Sequence, residues 1–78
     1  MKRVHGVFDF ESEFVEDRSE GWGGLDLYRL EDSNRLHVAR IVFWDAVGEF
    51  TLETFAGEVP LTIIEELIQE ARRTIRTS

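Results

Sequence analysis

The chain has 78 residues, with 9 lysine and arginine against 16 aspartate and glutamate residues, for a formal net charge of −7. Hydrophobic residues make up 42% of the sequence, too many for a disordered acidic tail, so we expect one small domain over residues 1–78. The absence of cysteine excludes disulfides, thiolate metal sites and cysteine nucleophiles.

Targeting and membrane segments are not expected. Residues 1–6 lead into an acid-rich alternating pattern rather than the apolar core of a signal peptide. No stretch approaches the roughly 20 apolar residues needed to span a bilayer. We therefore expect a cytoplasmic protein that does not contact membranes.

The chain before Pro60 alternates between apolar and polar residues, a pattern typical of strands. A longer connection, Glu16–Gly24, interrupts the alternation and ends in Gly-Trp-Gly-Gly. The sequence predicts four strands: Val4–Val15, Leu25–Glu31, Arg35–Asp45 and Glu49–Ala56.

Two short connections predict hairpins. Asp32–Asn34 and Ala46–Gly48 are three-residue loops that end in residue types tolerant of the left-handed conformation. The residues that flank each loop should face each other, which makes the last three strands an antiparallel meander. This register also places Asp26 opposite Arg40.

A C-terminal helix follows Pro60, which suits a first-turn position. Thr62 and Glu65 form a capping box if the helix starts slightly later. Arginines late in the helix complement its dipole: Arg72, Arg73 and Arg76. The apolar residues recur at spacings of three and four: Leu61, Ile64, Leu67, Ile68, Ala71 and Ile75. The predicted fold is α+β, a four-stranded antiparallel meander sheet with one C-terminal helix packed on one face.

Both faces of the predicted sheet are apolar, although a single helix covers only one. The larger face carries Tyr28, Leu30, Leu36, Val38, Val42, Trp44, Phe50 and Leu52. The smaller face carries Leu25, Leu27, Ala39, Ile41, Phe43 and Phe55. We expect the helix to cover the larger face and the smaller face to form a homodimer interface, because symmetric dimers are the commonest oligomers. The alternative is a strongly curled sheet that closes on itself. Its polar rim would be Arg29, His37, Thr51 and Glu53.

No set of catalytic, cofactor-binding or metal-binding residues can be assembled from the sequence. His5 and His37 lack the spacing of a metal or catalytic pair. The Asp26–Arg40 pair is interpreted as a structural bridge. Two interpretations of Trp22 stay open, a recognition side chain on a flexible loop and a ring packed at the edge of the core.

These patterns favour a small non-enzymatic interaction or regulatory module that forms a homodimer. The alternative is an acidic inhibitor or immunity-type protein that caps a basic protein partner through the acidic segment 9–20. The favoured interpretation of these acidic residues is that they keep a small apolar domain soluble. An enzyme ranks third, because no nucleophile–base pair is found. Nucleic-acid binding is not expected, because it needs a basic surface that this chain lacks.

Overall fold

The computed structural model describes residues 1–75, so that the predicted helical residue Arg76 lies outside the described residues. Its fold is α+β, with a five-stranded antiparallel sheet in the order β1-β2-β3-β4-β5 and one C-terminal helix, α1. The elements are β1 (Lys2–His5), β2 (Phe8–Asp17), β3 (Trp22–Glu31), β4 (Asn34–Trp44), β5 (Glu49–Thr54) and α1 (Leu61–Thr74). Within this part of the chain, no helix is long and apolar enough to cross a membrane.

The sheet has five strands rather than the predicted four, because the segment predicted as Val4–Val15 is a hairpin. Gly6 adopts φ of 63° and allows a tight turn between β1 and β2. His5 consequently pairs with Phe8, and β1 becomes one edge of the sheet. The isolated glycine inside an alternating pattern was the sequence signal for this turn.

The predicted long connection Glu16–Gly24 is much shorter in the structure. β2 continues to Asp17 and β3 begins at Trp22, where the two residues pair. Only Arg18–Gly21 forms the turn, with Gly21 at φ of 76°. Trp22 is therefore a strand residue, which rules out the flexible-loop interpretation.

The β3–β4 hairpin departs from the predicted register near its turn and returns to it farther away. Glu31 pairs with Asn34, so the turn has two residues, and the residue at positive φ is Asp32 (51°) rather than Asn34. An irregularity at Val38 adds one residue to β4 and restores the predicted pairing of Asp26 with Arg40.

The β4–β5 register is shifted by one residue from the prediction. Trp44 pairs with Glu49, so the loop has four residues, and Phe43 pairs with Phe50. Because side chains alternate along a strand, this slip exchanges the two faces of β5. Phe50 and Leu52 accordingly lie on the same side as Phe43 and Ile41.

Helix α1 begins directly after Pro60, which is its N-cap residue. Thr62 lies inside the helix, and the cap has no side-chain hydrogen bond, so the predicted capping box does not form. The buried residues Ile63, Leu67 and Ala71 follow a spacing of four. The buried face of α1 is therefore rotated about the helix axis from the predicted one, which leaves Leu61 and Ile68 exposed.

The helix covers the sheet face that was predicted to be the dimer interface. Its buried side chains pack into one core with the inward residues of the sheet: Phe10, Leu25, Leu27, Val38, Ala39, Ile41 and Phe43. Leu25, Leu27, Ala39, Ile41 and Phe43 are all less than 9% exposed, whereas Phe55 is 48% exposed. The predicted choice of face is therefore wrong, and these five residues are not accessible to a second chain in this fold.

Replacing Gly48 by valine should destabilise the protein by about 1–2 kcal/mol or more, because a β-branched residue is disfavoured at positive φ. Gly48 has φ of 75°, and a Cβ atom built there meets no atom within 4 Å, so the cost is purely conformational. Ser33→Ala in the exposed β3–β4 turn is the control, with an expected change within about 0.5 kcal/mol. Urea denaturation measures both variants, and equal midpoints would contradict the assigned role of Gly48.

Candidate functional site on the open face of the sheet

The sheet face away from α1, which we call the open face, carries a cluster of charged and aromatic side chains. Alternation along the strands places the neighbours of the core residues on this face. Register and contacts together define the open-face cluster: Trp22, Asp26, Tyr28, Arg35, His37, Arg40, Trp44 and Phe55. Of these, Asp26 is the only buried polar residue among the described residues, at 2% exposed.

Asp26 is held by two residues of β4. The Arg40 guanidinium donates from Nε to Oδ1 at 2.6 Å and from Nη2 to Oδ2 at 3.2 Å. The Nε2 atom of His37 lies 2.9 Å from the same Oδ1. The predicted Asp26–Arg40 pairing is confirmed, and the neighbouring His37 results from the irregularity at Val38. His37 opposes Tyr28 on the open face, whereas Arg29 lies on the helix side opposite Leu36.

The Asp26–Arg40 pair is charged at neutral pH. Burial raises the pKa of Asp26, but the hydrogen bond and charge of Arg40, followed by those of His37, outweigh it and leave the pKa below its ordinary value. The hydrogen bond from Arg40 to Asp26 raises the pKa of Arg40 in turn. A carboxylate of this kind orients its neighbours rather than exchanging protons near pH 7.

Aromatic and cationic groups stack beside Asp26. The His37 ring lies on Tyr28, with centroids 4.9 Å apart, and contacts Phe55 at 4.6 Å. The Arg35 guanidinium lies 3.6 Å above the Tyr28 ring. Burial, then the charge of Asp26, raises the pKa of Tyr28, so its hydroxyl stays protonated at neutral pH. The side chains thus support one another across β3 and β4.

Two carboxylates from β2 extend this network. Arg35 donates from Nε to Glu11 and from Nη2 to Glu13, both at 2.8 Å. These hydrogen bonds raise the pKa of Arg35 further, so it remains a cation. The acidic residues that the sequence places on a solvated strand are therefore connected to the open-face cluster.

Both tryptophans of the chain lie at the other end of the cluster. Trp22 and Trp44 are 6.0 Å apart between ring centroids, and Arg40 lies 5.0 Å from the Trp22 ring. Gly24 makes room for this arrangement, because a Cβ atom there would lie 3.3 Å from the Trp22 ring and 3.0 Å from a backbone oxygen. Trp22 is half-buried and belongs to the open-face cluster, next to the exposed ring of Trp44.

Negative charge dominates the open face. The register places seven carboxylates on it against three cations, Lys2, Arg35 and Arg40. The carboxylates are Asp9, Glu11, Glu13, Asp17, Asp26, Glu49 and Glu53. Carboxylates around exposed aromatic rings form a surface suited to cationic groups, which both kinds of side chain attract.

The Asp26–His37 pair has no partner that would make it a nucleophilic site. Among residues 1–75, no hydroxyl group is hydrogen-bonded to His37, and Asp26 instead shares its charge with Arg40. In the same part of the chain, no group of three or more His, Asp and Glu side chains is arranged to hold a metal ion. His5 lies on the exposed edge strand β1.

Sequence reasoning placed Asp26 and Arg40 on the same face as Tyr28 and Trp44 but did not bring the other four residues of the cluster to them. The sequence of β3 does indicate a face opposite the core, because Asp26 and Tyr28 alternate with the core residues Leu25 and Leu27. The position of His37 depends on the strand irregularity, which no residue type at Val38 indicates. Comparison with protein-family models, curated proteins and solved structures found no match for this chain.

Proposed function

We propose that this chain is a non-enzymatic interaction module whose open face binds a basic protein partner. The observation that carries the proposal is the arrangement of carboxylates around exposed aromatic rings on the sheet face without a helix. Carboxylates attract the lysine and arginine residues of a partner over a distance, and aromatic faces bind their cationic groups at contact. The same negative charge opposes binding to the phosphates of nucleic acid.

The acidic segment 9–20 is central to this proposal. Asp9, Glu11 and Glu13 project from β2 onto the open face, next to Arg35. An inhibitor or immunity-type role, in which the module caps a basic partner in the cytoplasm, is the form of the proposal that uses this segment most fully. The proposal includes no reaction, cofactor or metal ion.

A homodimer is the second candidate. Its predicted interface lies in the core, with the exception of Phe55. The observation that favours a dimer is a different apolar strip, formed by Leu52 of the edge strand β5 and Ile68 of α1. These residues are 43% and 37% exposed. A chain of this size also buries a modest core, which self-association supplements.

Binding of a basic peptide should change the intrinsic fluorescence of the protein, because both tryptophans lie on the open face. The probe is an acetylated and amidated peptide of alternating arginine and glycine, about ten residues long, titrated into the protein. Its affinity should fall by about tenfold between about 20 and 200 mM NaCl, since exposed charges are screened over that range.

Matched pairs of charge variants locate the binding surface. Asp9→Asn with Glu13→Gln removes two charges from the open face and should weaken binding by about fivefold. Glu58→Gln with Glu65→Gln removes two charges from exposed positions outside this face and should leave the affinity within about twofold. If both pairs weaken binding equally, the attraction is a property of net charge, and the proposal of an open-face site is wrong.

A further inference from the structure

The edge strand β5 offers free hydrogen-bonding groups to another strand. Its residues are largely exposed, and β4 is its only neighbour in the sheet. The Phe55 N–H donates a hydrogen bond to the Val38 carbonyl at 2.9 Å, which shows which residues of β5 direct their backbone groups towards β4. Because ladder bonds alternate in antiparallel pairs, the N–H and C=O groups of Phe50, Leu52 and Thr54 point away from β4.

The two sides of β5 differ in chemistry. Glu49, Thr51 and Glu53 lie on the open-face side, opposite Trp44, Val42 and Arg40. Phe50 and Leu52 lie on the helix side. A strand added to this edge would therefore meet acidic side chains on one side of the sheet and apolar side chains on the other.

A groove between β5 and α1 lies on the apolar side. It has a volume of about 180 Å³ and is lined by Ile41, Phe50, Leu52, Ile68, Ala71 and Arg72. The helix packs mainly across β2, β3 and β4, which leaves this groove open. The Arg72 guanidinium lies 5.6 Å from the Phe50 ring and would repel a basic side chain entering here.

We infer that a segment of the basic partner adds to β5 as a sixth strand, with alternating basic and apolar residues. The inference rests on the proposed function and specifies how part of the partner binds. The basic side chains would lie against Glu49 and Glu53, and the apolar ones would enter the groove beside Leu52 and Ile68. Main-chain hydrogen bonds supply affinity in this mode, and the alternating side chains supply specificity.

Charge distinguishes this occupant from a second copy of the chain. A symmetric antiparallel pairing of β5 with itself brings glutamates of the two copies directly opposite or diagonally adjacent, whichever residue lies on the two-fold axis. Like charges at these positions are destabilising. A basic segment replaces each repulsion by an attraction, and so charge complementarity selects the partner segment.

Fluorescence anisotropy with a labelled peptide tests the inference. The probe is an acetylated and amidated nonapeptide of alternating lysine and valine, compared with two versions N-methylated on the lysine or on the valine residues. In an added strand, the backbone N–H groups of only one set face β5. We expect one methylated version to bind about tenfold more weakly and the other to bind like the parent. Equal affinities of all three peptides would overturn strand addition.

A matched pair of lysine substitutions locates the strand. Leu52→Lys places a cation at the edge and should weaken binding of the lysine–valine peptide by about tenfold. Leu61→Lys makes the same change at a residue that is 78% exposed on α1 and should leave the affinity within about twofold. Equal effects of the two substitutions would overturn the assignment to β5.

Two further outcomes separate this inference from the proposed function. If the arginine–glycine peptide binds to the open face and the lysine–valine peptides show no dependence on methylation, strand addition fails and the proposed function stands. If neither peptide binds, both fail. A dimer in light scattering that Leu52→Lys dissociates would also overturn the inference, because a second copy would then occupy the edge.

Discussion

Leu67→Asp is expected to abolish folding. Leu67 is fully buried in the middle of α1, within the cluster that joins the helix to the sheet. Losing its side chain costs about 2–5 kcal/mol through the cavity alone, and a buried carboxylate without a partner adds several kcal/mol. The total reaches the whole stability of a small domain, about 5–15 kcal/mol. Circular dichroism should show no cooperative melt.

Leu61→Asp is the matched control for this substitution. Leu61 is the first residue of α1 and is 78% exposed, so the same chemical change removes little apolar burial. The first turn has no acidic residue, and a carboxylate there interacts favourably with the helix dipole, by about 0.3–1 kcal/mol. The variant should therefore melt at or slightly above the wild-type temperature. A cooperative melt of the Leu67 variant near that temperature would contradict the placement of the helix.

The helix was the element that sequence reasoning predicted best, and its packing face was less well determined. Apolar residues at helical spacing and the preceding Pro60 locate α1 closely. The apolar residues of the helix define two neighbouring faces, one through Ile64 and Ile68 and another through Ile63 and Leu67. Sequence alone does not distinguish them, because the choice depends on how the helix crosses the sheet. The structure selects the second face.

The faces of the sheet were harder to predict because their assignment depends on register. Side chains alternate with a period of two, so a loop that is one residue longer or shorter exchanges the two faces of a strand. The β4–β5 loop has four residues rather than three, which moved Phe50 and Leu52 to the helix side. In β4, the irregularity at Val38 restored the predicted pairing of Asp26 with Arg40.

These errors of register account for the difference between the predicted interface and the open-face cluster. A two-sided apolar sheet suggested a homodimer, but Leu25, Ile41 and Phe43 belong to the intramolecular core. The open-face cluster is polar and aromatic, and its residues come together only when the strands pair as they do. The acidic character of β2 was evident from composition, but its connection through Arg35 to Tyr28 was not.

Arg40→Met should destabilise the protein by about 3 kcal/mol at neutral pH, because it leaves the buried Asp26 carboxylate without its main partner. The Asp26 side chain is 4% exposed and that of Arg40 is 27% exposed, so most of the cost comes from Asp26. Glu13 lies opposite Asp26 on β2, and Glu53 lies opposite Arg40 on β5, so neither replaces the lost cation. His37 remains as a hydrogen-bonding partner of Asp26 and limits the loss. Chemical denaturation measures the difference in unfolding free energy, with Asp9→Asn on the same face as the control.

Lowering the pH should reduce the difference in unfolding free energy between the Arg40→Met variant and the wild type. In the wild type, the pKa of Asp26 lies below its ordinary value of 3.8, so its contribution to stability is present above that pH and is lost as pH falls through the folded-state pKa. Without Arg40, burial dominates and raises the pKa of Asp26 in the folded state. The cost of burying the charged carboxylate is then present at neutral pH and disappears when Asp26 is protonated. Because a neutral Asp26 needs no cation, the difference in unfolding free energy should shrink as the pH falls from the raised Asp26 pKa of the variant to the lowered Asp26 pKa of the wild type. A difference that stays constant from neutral pH to pH 3 would show that Arg40 stabilises the fold by packing rather than through Asp26.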